Sequence, residues 1–304
     1  MGEQGDNQID AIRLAASLSE LADVVGADTV HEGYFRAKRI WKSAIAERQA
    51  GDRPPEGLPG TAVTLDGHTI RVHGVTHAGT DPEREYLRDH VGRFLDDGAI
   101  VYCEQGIRSM YFEDMDGVCE MDDYLWAKAN AETLDERSQL DLFRGGIESV
   151  SRDIDEFAAE VREAAFSMID AGSGMYGERF ERALGDVVAE FLTTHADRAV
   201  GNSYEAFRLS RAASEHVERL HSLQQYYERA FLPQPLEREW LRRHDPELEL
   251  FSHARNERMA EYVAYHNETI ETVHLIVGAA HQHGVAYYLS QYRHEPEPTD
   301  LELY

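Results

Sequence analysis

Apolar residues recur every three to four positions over residues 9–25 (Ile12, Leu14, Leu18, Leu21) and 30–50 (Tyr34, Ile40, Trp41, Ile45). That spacing predicts two amphipathic helices at the start of the chain. The run Asp52-Arg53-Pro54-Pro55-Glu56-Gly57-Leu58-Pro59-Gly60 ends the periodicity, because proline removes backbone donors and fixes φ while glycine frees it. It reads as a connector. The pattern then turns β-like: 61–65 and 68–73 flank Asp66-Gly67, a dipeptide suited to a tight hairpin, and predict two paired strands. The second runs out at Gly74-Val75-Thr76-His77. Asp81-Pro82 marks a helix start, with Asp at the cap and Pro at the first helical position, and the helix runs to Leu95.

Asp97-Gly98 closes that helix, and the apolar run 100–103 reads as a buried strand of the parallel kind leading straight into Glu104. Between 122 and 232 no β-type alternation occurs, and Phe207, Ala213, Val217, Leu220, Tyr227 and Phe231 keep helical spacing. Pro233 and Pro235 end a helix, 257–266 is helical, and 272–277 is a further β-prone run finishing in Gly278-Ala279-Ala280-His281. The expected fold is α/β, a mixed central sheet with flanking helices and a large helical insertion. Its divisions are 1–60 (helices and linker), 61–121 (first half of the core), 122–232 (helical cover), 233–293 (second half of the core) and 294–304 (disordered tail).

Composition alters the picture in one respect. The 304 residues include 57 acidic and 30 basic side chains, a formal charge of −27, and lysine occurs only at 38, 42 and 128. Such a field repels phosphate, so neither nucleic acid nor an anionic membrane is an expected partner. Acidic excess with scarce lysine is the composition of a protein kept soluble in concentrated salt, a halophilic protein, so surface Asp and Glu are not read as metal sites. No stretch reaches the roughly 18 apolar residues of a membrane span. The start, Met1-Gly2-Glu3-Gln4-Gly5-Asp6, has no basic or apolar segment, and a cytoplasmic location is expected. Cys103 and Cys119 lack CxxC spacing and read as structural thiols, Cys119 being a poor nucleophile among acids.

Three predicted strands end on groups able to bind a metal or move a proton: His77, Glu104 and His281. In open α/β sheets such groups gather at the carboxyl ends of strands. Two of the exits share the spelling Gly-x-x-His, in which glycine is expected to let the backbone leave the strand sharply. Two imidazoles and a carboxylate suit a divalent ion with a position left for water. Each residue alone has a plainer reading, a hydrogen-bonded structural histidine or a solvated carboxylate; it is their shared position at strand ends that favours a site. His73 and His283 lie beside the motifs as further donors, and His281-x-His283 has the look of a two-histidine pair. His216 and His221, five apart on a predicted helix, point away from a common face, and no His-Glu-x-x-His, Gly-x-Ser-x-Gly, phosphate loop or dinucleotide fingerprint occurs.

Taken together, Gly74-Val75-Thr76-His77, Val101-Tyr102-Cys103-Glu104-Gln105-Gly106-Ile107-Arg108, Ala254-Arg255-Asn256-Glu257-Arg258-Met259-Ala260 and Val277-Gly278-Ala279-Ala280-His281 resemble the TraB/PrgY and Tiki group, within the superfamily that includes erythromycin esterases and ChaN-like proteins. The resemblance covers residues 68–290; Ala254 stands where the group usually has an acid, and Gln105 where it has an aliphatic residue. It implies a site of His77, Glu104, Arg255 and His281, and the Tiki-like members imply metal-dependent peptide hydrolysis. The expected function is hydrolysis of a peptide or amide by water activated at a divalent metal (Mn, Co or Zn) or by a site carboxylate. His77 and His281 would hold the metal, Glu104 would be ligand or base, and Arg255 would bind an oxyanion or a substrate carboxylate. Two alternatives stay open: a metal-free, esterase-like hydrolase, and a regulatory protein that captures a peptide or small ligand in the same crevice without turning it over. A homo-oligomer is compatible with either.

Overall fold

The first helices are set by their caps as much as by their apolar stripes. The computed structural model of the protein describes residues 2–65, 67–104, 108–109, 164–170, 184, 201, 203–265 and 272–292. Helices α1 (Gly2–Leu14), α2 (Leu18–Val25) and α3 (Val30–Gln49) open it. The chain breaks between α1 and α2, where spacing alone predicted one helix: Ser17 caps α2 by accepting the Glu20 N–H, and Glu20 reaches back to the Ala16 N–H. Tyr34 of α3 stacks on Trp240, with ring centroids 4.1 Å apart, in a core built from these helices and from Leu232, Leu236 and Leu241.

The sheet follows. Strands β1 (Thr61–Leu65), β2 (His68–Val75), β3 (Ile100–Cys103), β4 (Arg108–Ser109) and β5 (Thr272–Gly278) lie in the order β1-β2-β5-β3-β4. β2 and β3 run parallel to β5 on either side of it, and both edges pair antiparallel, so the sheet is mixed as expected. Gly67 in the β1–β2 hairpin takes φ 88°, a conformation open to glycine. The two-residue β4 was not foreseen; so short an edge carries no periodic signal.

Helix α4 (Asp81–Asp96) crosses from β2 to β3, α5 (Tyr204–Glu215) and α6 (Leu220–Ala230) are joined through a short 3₁₀ turn at Val217–Arg219, and α7 (Gln234–His244), α8 (Pro246–Tyr265) and α9 (Ala279–Gln291) complete the order. The cap of α4 is Thr80, one residue earlier than expected, so Pro82 falls at the second helical position. α7 and most of α8 lie in a stretch left unassigned by periodicity. Side chains alternate across the sheet: Val75, Val101, Cys103 and Ile276 face α4, α5 and α6, while Ile70, Val72, Tyr102, Leu275 and Val277 face α8 and α9. β5 is buried on both sides, as a central parallel strand must be.

Within the predicted insertion 122–232, the regular structure among the described residues is helical; residues 122–163, 171–183, 185–200 and 202, together with Cys119 and the tail from His294, lie outside the described residues. No described helix is long and apolar enough to cross a membrane.

Candidate functional site

Glu104 is the hub. Its N–H donates to Ile276 O at 2.9 Å, one rung beyond β3, and alternation turns its side chain to the α8/α9 face. There the carboxylate is only 3% exposed and meets four groups. Oε1 accepts from Arg255 Nη2 of α8 and lies 3.6 Å from His281 Nε2 of α9. Oε2 accepts the Gly278 N–H at 2.5 Å and lies 3.1 Å from His77 Nε2. The four residues singled out by sequence, His77, Glu104, Arg255 and His281, therefore share one site.

The two glycine exits are built differently from the expectation. Gly74 sits inside β2, paired with Val277, and Gly278 caps α9 at φ −56°; neither uses a glycine-only conformation. What Gly74 needs is the missing Cβ, and at Gly278 its absence eases a close approach of side chains. At Gly74 it would stand 2.4 Å from Gln282 Oε1 and 2.8 Å from Ala279 Cα; at Gly278 it would stand 3.3 Å from His77 Cδ2 and 3.4 Å from Glu104 Oε2. β5 runs into α9 without a loop, so the positive N-terminal end of the helix faces the carboxylate and places His281 in its first turn.

His77 itself carries the unusual backbone, φ 56°. Glu83, fully buried in the first turn of α4, secures it: its carboxylate accepts the Thr76 N–H at 2.7 Å, the Thr76 hydroxyl at 2.7 Å and the Ala78 N–H at 3.1 Å, on both sides of His77. Thr80-x-x-Glu83 spells a capping box, which is the signal that could have found it, although the carboxylate serves the preceding loop.

His281 is oriented from behind. Its Nδ1 lies 2.8 Å from Asn256 Oδ1, so Nδ1 donates and Nε2, on the Glu104 side, is the nitrogen that bears the lone pair in the neutral ring. The 3.6 Å separation from Glu104 Oε1 is longer than a hydrogen bond. Asn256 directly follows Arg255 in sequence, but its neighbours there spell no role for it.

Other sequence candidates fall elsewhere. His73 Nε2 pairs with His274 Nδ1 at 2.8 Å, and His73 Nδ1 bonds Pro59 O at 3.0 Å, while His274 stacks on Phe94. Burial pushes the pKa of His73 down to about 4 and that of His274 to about 3. Burial likewise lowers His283, whose ring feels Glu228 and Arg13, groups outside the site. His216 marks the end of α5 and is largely exposed.

Arg255 does not stand open toward a substrate as expected of an oxyanion group; at 3% exposure its guanidinium is spent on Glu104. The same contact tests the metal expectation. Glu104 already accepts from a guanidinium and a backbone N–H, which take one lone pair on each oxygen and offset the carboxylate charge that would attract a cation. No group of three His, Cys, Asp or Glu side chains is arranged for one among the described residues. Comparison with protein-family models, with curated proteins and with solved structures finds no match.

Proposed function

We propose that the chain is a metal-independent hydrolase of peptide, amide or ester bonds, of the broad kind that its TraB/PrgY- and Tiki-like motifs suggest, with His281 as general base. One observation carries the reading: Asn256 occupies His281 Nδ1, which leaves Nε2 as the basic nitrogen on the side of the shared carboxylate. Nε2 takes the proton of an attacking water, and Glu104 stabilises the imidazolium that forms, the logic of a base oriented by one neighbour and balanced by an acid. His77, the most exposed of the four side chains at 13%, returns a proton to the leaving group and is held for that by Glu104 Oε2. Before the next turnover His281 loses its gained proton to solvent and His77 takes one up from it, so both imidazoles are reset and no net proton stays on the pair. Arg255 acts through Glu104, fixing its carboxylate and offsetting its charge.

The test is a panel of peptide anilides and nitrophenyl esters, offered to the purified full chain in molar potassium chloride with and without EDTA. Turnover that survives EDTA and is lost in His281→Gln supports the proposal. Turnover that needs added Mn, Co or Zn would overturn it in favour of the metal hydrolase, and saturable peptide binding without turnover, lost in His77→Ala, would overturn it in favour of a ligand-binding protein.

A further inference from the structure

Behind His281 runs a row of polar side chains that cannot touch a substrate. Asn256 Nδ2 lies 3.3 Å from Gln234 Oε1, and the same oxygen lies 2.7 Å from His253 Nδ1. Asn256, Gln234 and His253 are each no more than 2% exposed. They come from α8 and α7, and α9 makes room for them: a Cβ on Gly284 would stand 2.2 Å from Asn256 Nδ2 and 2.8 Å from Gln234 Oε1. Four helical positions and one glycine are thus committed to a row ending on His281.

Such a row can run in one of two senses, because every link has one donor and one acceptor. With the Gln234 oxygen accepting from both His253 Nδ1 and Asn256 Nδ2, Asn256 presents Oδ1 to His281. His281 must then hold its proton on Nδ1 and its lone pair on Nε2. Turning both amides over reverses each link and forces the His281 proton onto Nε2, facing Glu104, where the ring is no base.

The far end decides between them. Burial holds the His253 pKa down to about 3, so the ring is neutral and has one N–H. Its Nε2 is buried with no hydrogen-bond partner among the described residues. In the first sense that atom is a bare acceptor; in the second it is a stranded N–H, the rarer and costlier orphan.

We infer that His253 and Gln234, acting through Asn256, are positioning residues that fix His281 in the Nδ1–H tautomer. The inference rests on the reading of His281 as the base, yet its decisive measurement is independent of turnover. Long-range ¹H–¹⁵N correlation on the full chain, labelled at histidine and held at neutral pH in molar salt, reports the tautomer, with the His281 signals identified by their loss in His281→Gln. The expected spectrum has a pyridine-type Nε2 and a pyrrole-type Nδ1. His253→Phe keeps a flat ring and removes the donor, so Gln234 is released and the His281 signals move toward the Nε2–H form or an average. Gln234→Met acts the same way and serves if His253→Phe fails to fold. Adding Asn256→Asp to either variant restores the first tautomer, since a carboxylate only accepts.

Where a hydrolysed substrate is found, kcat falls roughly tenfold in His253→Phe with KM unchanged and recovers in the double variant. A wild-type His281 protonated on Nε2, or a tautomer unmoved in folded His253→Phe or Gln234→Met, overturns the inference. Absence of any turnover, with the tautomer behaving as described, would instead defeat the hydrolase reading and leave the positioning row standing.

Discussion

His77 and His281 reach the same carboxylate by the same four-letter spelling, and the two exits are made in opposite ways. At the β5 exit the strand passes directly into α9, the backbone is ordinary, and all that Gly278 provides is close approach, since a Cβ there would touch two imidazoles and Glu104 at 3.3–3.5 Å. At the β2 exit the glycine lies back in the ladder and the left-handed conformation falls on His77, a residue that gains nothing from it locally. That cost has to be met from outside, by Glu83 bonding both flanks of the loop. One exit is stiffened by a helix, the other by a single buried side chain. A motif in sequence thus specifies where a group must end up, and the surroundings supply different physics to bring it there.

The sharpest way to break this comparison is to remove what both exits close upon. Arg255→Leu leaves Glu104 buried beside two imidazoles without its guanidinium, and the expected loss in chemical denaturation is about 3–5 kcal/mol. Adding Glu104→Leu to that variant should return most of the stability, because the uncompensated charge is then gone, while any activity stays lost. A loss below about 1 kcal/mol in Arg255→Leu would mean that the exits hold their shape without the ion pair.

Much of this arrangement is readable in the sequence. The hairpin about Gly67, β3 running into Glu104 and β5 running into His281 follow from alternation, turn chemistry and apolar runs, which are local properties. What escaped was settled across the fold. Gln234 and His253 are 19 residues apart and 1–2% exposed, and nothing local separates them from any buried Gln or His; their role exists only because α7 and α8 pack against α9. The same holds for Arg255, which the sequence reading turned toward a substrate and the packing turned toward Glu104. The break before α2 was legible in Ser17-x-x-Glu20, and was overrun by the apolar stripe on either side of it.

Inside the sheet, the His73–His274 pair bridges β2 and β5, the two strands that lead to these exits, and it titrates. An unfolded histidine protonates near 6.5, whereas these rings do so at about 4 and about 3 in the fold. Between those values the unfolded chain binds more protons, so stability is fully present above pH 6.5 and falls as pH drops below it. The slope is on the order of 1.4 kcal/mol per pH unit for each ring. Denaturation midpoints between pH 7 and 5 at constant salt check it; His73→Phe should remove that one ring's share of the slope and leave the shares of His274 and of His253, which burial also holds down to about 3. A midpoint indifferent to pH over that range would show the pair to be charged or loose. Next in size, Glu83→Ala strips acceptors from the Thr76 and Ala78 N–H groups at one exit only, with an expected cost of about 2 kcal/mol. In that variant the His77 ring resonances should move while those of His281 hold still; equal movement of both would mean that Glu83 serves the whole site and not the β2 exit.

The smallest effect discriminates best, because the two exits should give opposite signs. At position 77, where φ is 56°, glycine adopts the backbone without a Cβ clash and alanine does not, so His77→Gly should be more stable than His77→Ala by about 1 kcal/mol. At position 281, in the first turn of α9, the helix favours alanine, so His281→Ala should be more stable than His281→Gly by about the same amount. Each comparison is made within one site, so loss of the imidazole and of its bond to Glu104 or Asn256 cancels between the paired variants. Denaturant midpoints measured in the same molar salt suffice, and the sign alone decides. The same order of stability at both positions would mean that His77 and His281 are held by one device, and the account of a strained, externally secured exit at β2 would fail.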